Sequence, residues 1–143
     1  MTEVYRAPMR SRDDRIDAAA AVERALRLGL VGFGDAETGD RLSRRIARFA
    51  RVDDGAFVWT RDGDGFYWLG RIAGPYRRDD ADAAAVVDLV HVRPCRWLAE
   101  PVGEPDIPAA VVAMFDRGGR NFQRTHSPDV GAQTARVWAM RAV

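Results

Sequence analysis

Cys95 and His91 are the two side chains in this sequence whose types could form a nucleophile and its base. The chain has one cysteine and two histidines among its 143 residues. Cys95 and His91 stand four positions apart in a predicted strand, a spacing that separates side chains on one face by about 13 Å. Proton transfer requires hydrogen-bond contact between the two groups. We therefore expect a buried, structural cysteine and a histidine that is satisfied by hydrogen bonds within its sheet.

The residue types also give no support for a zinc site, another metal site or lysine-based catalysis. A single cysteine and two distant histidines exclude a cysteine-rich zinc site. The acids Asp79, Asp80 and Asp82 stand together, but acids that share a polar loop are typically solvated rather than bound to a metal. All 22 basic residues are arginine, which excludes lysine chemistry such as Schiff-base formation. We expect no enzyme activity, no metal ion and no cofactor.

The secondary-structure elements that would position Cys95 and His91 are predicted most clearly between residues 53 and 97. This segment holds three of the four tryptophans. Residues 56–60 and 66–72 are rich in aromatic and β-branched side chains, and the turn between them consists largely of Asp and Gly. That composition predicts a β-hairpin. Residues 89–93 predict a further strand of the same sheet.

The remaining elements alternate between strands and helices. Strands are predicted at residues 2–9, 30–34 and 120–125, and helices at 12–28, 41–50, 109–115 and about 131–141. Ser11 would cap the first helix and Gly29 would end it, whereas residues 77–88 are expected to form a loop. The order predicts one α+β domain over residues 1–143, with a strongly curved antiparallel sheet or small barrel and peripheral helices.

Nothing in the sequence predicts contact with a membrane. No apolar run reaches the roughly 18 residues that span a bilayer, and the first residues lack the apolar core of a signal peptide. The net charge of +1 does not point to a partner by itself. We therefore expect a cytoplasmic protein.

Four ordered segments carry a resemblance to a known family. They are Gly-Leu-Val-Gly-Phe-Gly at 29–34, Asp-Gly-Ala-Phe-Val-Trp at 54–59, Gly-Arg-Ile-Ala-Gly-Pro-Tyr at 70–76 and His-Val-Arg-Pro-Cys-Arg-Trp at 91–97. Residues 120–124 add a looser match. In this order the segments resemble the PUA-like superfamily, specifically EVE-like domains and the related N-terminal modules of Mrr- and McrBC-type restriction systems. The resemblance implies a small, curved, PUA-like antiparallel β-barrel with peripheral helices.

The resemblance also implies a function. It implies a non-catalytic nucleic-acid-binding module that takes a flipped, modified base into an aromatic pocket. The implied setting is bacterial defence or restriction, with DNA favoured over RNA as the partner. A separate nuclease or ATPase would then act as the effector.

Side chains in and near the matched segments supply the groups that such a pocket needs. An extruded base requires aromatic faces to replace its lost stacking and polar groups for its pairing edge. The base-pocket candidates are Phe33, Trp59, Thr60, Tyr76, Trp97, Asn121 and Gln123, with Asp35 as a further edge contact. The phosphate-binding candidates are Arg71, Arg93, Arg96, Arg120 and Arg124.

Alternatives stay open at several positions. Trp68 and Trp138 are expected in the core, whereas Trp59 is expected to line the pocket. The arginines of the 41–50 helix form either a phosphate-facing stripe or, the favoured interpretation, a solvated helix face. The same cleft could instead serve a small-molecule or nucleotide sensor, or a protein-interaction module. For the cleft expected around Trp59, a Trp59 that is fully enclosed by aliphatic side chains would remove the reader and leave the interaction module.

Overall fold

The computed structural model describes residues 2–36 and 39–142, which form a curved β-sheet with helices on both faces. The strands are β1 (Val4–Arg6), β2 (Leu30–Phe33), β3 (Phe57–Arg61), β4 (Tyr67–Ile72), β5 (Arg77–Arg78), β6 (His91–Trp97) and β7 (Gln123–Arg124). The helices are α1 (Ala20–Leu28), α2 (Asp40–Arg51), α3 (Asp82–Val86), α4 (Ala109–Asp116) and α5 (Val130–Arg141), with a 3-10 turn at Glu104–Asp106. The predicted α+β class is confirmed. None of the helices in these two ranges is long and apolar enough to cross a membrane.

The strand order is β2-β6-β4-β3-β1-β7, which makes a half-barrel with β2 and β7 at its two edges. β3 and β4 form the predicted antiparallel hairpin, and β2 and β4 both pair antiparallel with β6. β1 instead pairs in parallel with β3, where Val4 lies opposite Phe57. The sheet is therefore mixed rather than purely antiparallel, because β1 and β3 are joined by a long crossover that contains α1, β2 and α2.

Both faces of the sheet are buried, as β3 shows. Side chains alternate along a strand, so Trp59 enters one core cluster and Val58 enters the other. The first cluster includes Val111 of α4, and the second includes Phe49 of α2. Because both faces of β3 are buried, its sequence lacks the alternation of apolar and polar residues that would mark one face as exposed to solvent.

The first predicted helix begins later than expected, at Ala20. The carboxylates of Asp13 and Asp17 each accept the backbone N–H two residues on. The Ser11 hydroxyl accepts the N–H of Asp13 and does not cap a helix. Such local side-chain turns compete with helix formation. Gly29 ends α1 as predicted, with a left-handed φ of 69°.

The expected loop at residues 77–88 is ordered. It contains α3 and also β5, which pairs Arg77 with Val92 of β6. Asp79 was expected to be solvated, but it is only 7% exposed and forms an ion pair with Arg24 at 3.1 Å. Acids are buried in proteins where a partner lies beside them. The partner comes from α1, so the local sequence gave no indication of it.

Candidate functional site

A cavity of about 560 Å³ opens between α2 and the sheet edge formed by β1 and β7. Its apolar lining consists of Tyr5, Phe33, Phe49, Val52 and Phe122. Its polar lining consists of Glu3, Arg45, Arg48, Arg51, Asp53, Asn121, Gln123 and Arg124. Small-ligand sites in proteins typically measure about 300–1,000 Å³. This α2–β7 cavity therefore has the size and the mixed lining of a binding site.

Four aromatic rings form a continuous row that joins the two edges of the sheet. Phe33 at the end of β2 meets Phe49 edge-on, with 5.1 Å between ring centroids. Phe49 meets Phe122 edge-on at 4.9 Å, and Phe122 stacks on Tyr5 of β1 at 4.8 Å. Phe49 is 1% exposed and fixes the centre of the row. These contacts hold the aromatic wall of the cavity in a defined geometry.

Hydrogen bonds also orient the two amides in the cavity. The side-chain oxygen of Gln123 accepts from Arg6 Nη2 at 3.0 Å. The side-chain oxygen of Asn121 accepts from Arg12 Nη2 at 2.6 Å. With both oxygens engaged, each amide offers its NH₂ group as the hydrogen-bond donor.

Glu3 provides an acidic group beside these donors. Its carboxylate accepts a hydrogen bond from the Tyr5 hydroxyl at 2.8 Å and forms an ion pair with Arg124 at 3.0 Å. Burial and the hydrogen bond to Glu3 raise the pKa of Tyr5 to about 12. Tyr5 is therefore a neutral ring at physiological pH. The cavity presents two amide donors, a carboxylate acceptor and aromatic faces together.

Arginines of α2 form the positively charged side of the cavity. The guanidinium carbon of Arg45 lies 4.6 Å from the centroid of the Phe33 ring, which is a cation–π contact. Arg48 and Arg51 are exposed and line the same side. An anionic group that approaches the aromatic row from α2 would therefore meet guanidinium groups.

The structure places three of the predicted pocket residues in this cavity: Phe33, Asn121 and Gln123. Trp59 is 0% exposed, and its Nε1 donates to Thr134 Oγ1 at 3.1 Å inside the core. Thr60 is also 0% exposed and donates to the Ala7 carbonyl at 2.7 Å. The prediction of a pocket around Trp59 and Thr60 is therefore wrong, because a base cannot reach either side chain.

The space expected beside Phe33 is filled by the chain itself. A Cβ atom at Gly32 would lie 1.8 Å from the His91 carbonyl oxygen. A Cβ atom at Gly34 would lie 2.1 Å from the Asp88 carboxylate. These glycines permit close approach of neighbouring segments and leave no room for a ligand.

Tyr76, His91 and Asp35 form a hydrogen-bonded chain behind the aromatic row. The Tyr76 hydroxyl donates to His91 Nδ1 at 2.8 Å, and His91 Nε2 donates to the Asp35 carboxylate at 2.7 Å. The bond from His91 holds the pKa of Asp35 below its ordinary value, and burial raises the pKa of Tyr76. The prediction that His91 is satisfied by hydrogen bonds is confirmed. Tyr76 touches Phe49 at 6.4 Å between ring centroids but is not part of the cavity lining.

The other three tryptophans also lie outside the cavity. Trp97 donates to a backbone carbonyl of β2, and its ring fills the space beside Gly70. Trp68 was expected in the core, but it is half-buried, belongs to neither core cluster and donates to Asp62 at 2.9 Å. Trp138 is also half-buried and packs against the rim of the core that contains Trp59.

The predicted phosphate-binding arginines separate into three groups. Arg124 lines the α2–β7 cavity. Arg93 is 3% exposed and donates to three backbone carbonyls and to the Asp54 carboxylate. Its assignment to phosphate is wrong, because the guanidinium is enclosed and holds the end of α2 against the sheet.

Arg71, Arg96 and Arg120 do not line the α2–β7 cavity. The guanidinium carbons of Arg71 and Arg96 lie 5.7 Å and 5.5 Å from the Trp138 ring centroid. Arg120 forms an ion pair with Asp14 at 2.7 Å. Binding of phosphate by these three residues stays a prediction.

Tyr5, Phe49 and Phe122 line the cavity but were not predicted as site residues. Each fitted an ordinary core position in its predicted strand or helix. The sequence did contain one indication for Phe49. Phe49 is a large aromatic side chain between Arg48 and Arg51, on a helix that has few other large apolar side chains. No local signal marks Tyr5 and Phe122, because their stacking depends on the pairing of β1 with β7.

The chemistry of the remaining reactive groups is restricted by burial. Cys95 is buried, and burial raises the pKa of its thiol well above the ordinary range. The thiol is therefore protonated and a poor nucleophile at neutral pH. Among residues 2–36 and 39–142, no three His, Cys, Asp or Glu side chains are grouped to hold a metal ion.

The fold is shared with solved YTH domains. The YTH domain of mmi1, in complex with RNA, aligns with a TM-score of 0.55 and 9% identity over 98% of this chain and 81% of that chain. The YTH domain of Zygosaccharomyces rouxii MRB1, in complex with N6-methyladenosine RNA, gives 0.51 and 11% over 99% and 88%. The Pho92 YTH domain, in complex with m6A, gives 0.54 and 11% over 95% and 82%.

These similarities concern the fold alone, because the identities are low. They confirm the predicted α+β fold, in the form that these YTH domains have. Neither a family model nor a curated protein sequence matches this chain.

Proposed function

We propose that this chain is a non-catalytic module that binds single-stranded nucleic acid and takes one extruded, modified base into the α2–β7 cavity. The observation that carries the proposal is the row of four aromatic rings that lines a cavity of about 560 Å³. An extruded base loses its stacking partners, and an aromatic side chain returns about 1–3 kcal/mol per base. Arginines beside the row suit the phosphates that accompany the base.

The polar groups in the cavity suit the pairing edge of a base. Asn121 and Gln123 offer NH₂ donors, and Glu3 offers a carboxylate acceptor. Bases present both acceptors and donors on that edge. A defined set of donors and acceptors favours one base over the others, because a mismatched base would cover polar groups without pairing them.

The proposal extends to modified bases because the cavity wall is apolar as well as aromatic. A methyl group that enters an apolar site gains about 0.8 kcal/mol, which is roughly a fourfold increase in affinity. The fold neighbours support this extension, since two of them were solved with N6-methyladenosine RNA or m6A. The resemblance seen in the sequence favours DNA, whereas the neighbours' complexes contain RNA, so both nucleic acids belong in the test.

The wider setting is part of the same proposal. We place the domain in bacterial defence, as the restriction-type resemblance implies. The domain would select the nucleic acid, and a separate nuclease or ATPase would act on it. This division of labour fits a chain whose single cysteine is buried and whose basic residues are all arginine.

A protein-interaction module is the second candidate function. The enclosed Trp59 favours it, because the pocket first expected around that residue is absent. The two candidates differ in what fills the α2–β7 cavity. A module of this second kind would bind neither oligonucleotides nor nucleosides.

Fluorescence anisotropy with short labelled oligonucleotides tests the proposal. Single-stranded RNA and DNA are compared, each with one central base that is either unmodified or methylated. We expect binding that weakens with salt, and an affinity roughly fourfold higher for the matching methylated base. Tight, salt-insensitive binding of a free nucleoside would instead indicate a small-molecule sensor. If no oligonucleotide binds at low salt, the nucleic-acid-binding function is excluded and the protein-interaction module remains as the candidate.

A further inference from the structure

We propose that three exposed arginines of α2, namely Arg44, Arg48 and Arg51, form a phosphate track. This track holds the nucleic-acid strand that flanks the extruded base. This inference rests on the proposed function and makes it more specific. It states that the occupant is a strand of several nucleotides rather than a free nucleoside. It also replaces the interpretation of these arginines as a solvated helix face.

The arginines of α2 share one side of the helix. At 100° per residue, they fall within an arc of about 120°. They are Arg41, Arg44, Arg45, Arg48 and Arg51. Phe49 lies about 40° beyond Arg45, just outside this arc, and points into the core and the floor of the cavity. The helix therefore presents an aromatic residue to the cavity and a continuous cationic stripe beside it.

The charge of the chain is concentrated on this helix. α2 contains five arginines and one acid, Asp40, whereas the whole chain has a net charge of only +1. The rest of the sequence is therefore net acidic. A single cationic helix on a protein of nearly neutral charge directs an anionic strand to one place.

Arg44, Arg48 and Arg51 are exposed, and no hydrogen bond or ion pair joins any of them to another residue of the described ranges. Other exposed arginines, such as Arg78 and Arg124, do have acidic partners. An unpaired guanidinium can donate two parallel N–H groups to phosphate oxygens without first breaking an ion pair with a carboxylate.

The track is continuous with the cavity. Arg48 and Arg51 line it, and Arg44 lies one turn further towards the start of α2, outside the lining. From Arg44 to Arg51 the helix rises about 10 Å. A nucleoside in the cavity would not reach Arg44, whereas a strand that leaves the cavity along α2 would pass it.

A matched pair of double variants tests the track. R44Q/R48Q removes two track arginines, and R27Q/R136Q removes two exposed arginines of α1 and α5 that also lack partners in the described ranges. Each variant lowers the net charge by the same amount. The dissociation constant for the preferred oligonucleotide is measured over a series of salt concentrations, and binding of the corresponding free nucleoside is measured in parallel.

We expect R44Q/R48Q to reduce the slope of the logarithm of the association constant against the logarithm of the salt concentration by about 1.4. Each phosphate contact on a single strand contributes about 0.7 to this slope. R27Q/R136Q should keep the parent slope, and the single variant R44Q, whose arginine lies outside the cavity lining, should bind the nucleoside as the parent does. Equal slopes for the two double variants, or loss of nucleoside binding in R44Q, would overturn the track and leave the base pocket standing. No binding of any oligonucleotide by the parent protein would overturn both proposals, even if anionic vesicles or acidic peptides bound to α2.

Discussion

Phe122 stacks on Tyr5 with 4.8 Å between the ring centroids and 10° between the ring planes. The two residues come from opposite ends of the chain and meet because β1 and β7 pair, with Tyr5 opposite Arg124. Phe49 closes the same wall from α2. The aromatic wall of the cavity therefore depends on tertiary pairing between the first and last strands of the sheet.

The burial of Trp59 predicts that this residue supports the fold and does not bind a ligand. Truncation of a fully enclosed aromatic residue typically costs about 3–5 kcal/mol. We expect Trp59→Ala to lose stability of that order, and Trp68→Ala, at a half-buried position outside both core clusters, to lose clearly less. Urea denaturation of the two variants measures the difference. Equal unfolding midpoints would contradict the assignment of Trp59 to the core.

Arg93 is predicted to act as a structural cross-link between α2 and the sheet. Arg93→Met would leave the carbonyl groups of Gly74 and Val52 without their donor, at about 1–3 kcal/mol each, whereas the Phe49 carbonyl still accepts from the Val52 N–H. Arg96 on the same strand is exposed and serves as the matched control, Arg96→Met. We expect a loss of at least about 2 kcal/mol for Arg93→Met and a small change for the control. A free energy of unfolding that is unchanged in Arg93→Met would rule out the cross-link.

The hydrogen bond between His91 and Asp35 predicts a stability that depends on pH. The pKa of Asp35 is lower in the folded chain than in the unfolded chain, chiefly because His91 donates to its carboxylate. The carboxylate therefore stabilises the fold above its ordinary pKa of about 4, and this contribution is lost as the pH falls through the lower, folded value. We expect Asp35→Asn to be less stable than the parent near neutral pH, with the difference shrinking in acid.

Urea midpoints of the parent and of Asp35→Asn, measured from about pH 7 down to about pH 3, check this dependence. A second comparison uses Asp80→Asn, since Asp80 is exposed and also pairs with Arg78. This control should show little change at any pH, because an exposed ion pair contributes little. A constant difference between Asp35→Asn and the parent across the range would be incompatible with the predicted linkage.

The sequence was sufficient to predict the elements whose signals are local. The hairpin of β3 and β4 followed from runs of aromatic and β-branched residues on either side of an Asp/Gly turn, and Gly29 marked the end of α1. α4 and α5 lie within two residues of their predicted bounds. These features depend on neighbours in sequence, so composition and spacing were enough.

The features that the sequence did not predict depend on distant contacts. Trp59 was expected at the end of its strand beside polar residues, but it is the middle residue of β3, and Thr134 of α5 is its hydrogen-bond partner. The site itself is built by rings from β1, β2, α2 and the segment before β7. Among the predicted pocket residues, Phe33, Asn121 and Gln123 reached the cavity because they lie at the two edges of the half-barrel.

The most direct test of the account compares Phe122→Ala with Phe66→Ala. Phe122 belongs to the aromatic row, whereas Phe66 is 57% exposed in the hairpin turn and lies outside the cavity. Circular dichroism and urea midpoints establish that each variant folds, and Phe122→Leu replaces Phe122→Ala if the latter does not. Affinity for the preferred oligonucleotide is then measured at one fixed salt concentration.

Removal of the Phe122 ring should weaken binding roughly 5- to 150-fold, which corresponds to the loss of about 1–3 kcal/mol of base stacking. Phe66→Ala should bind as the parent protein does. If the folded Phe122 variant binds the oligonucleotide as tightly as Phe66→Ala, the base does not enter the α2–β7 cavity and the central claim is contradicted.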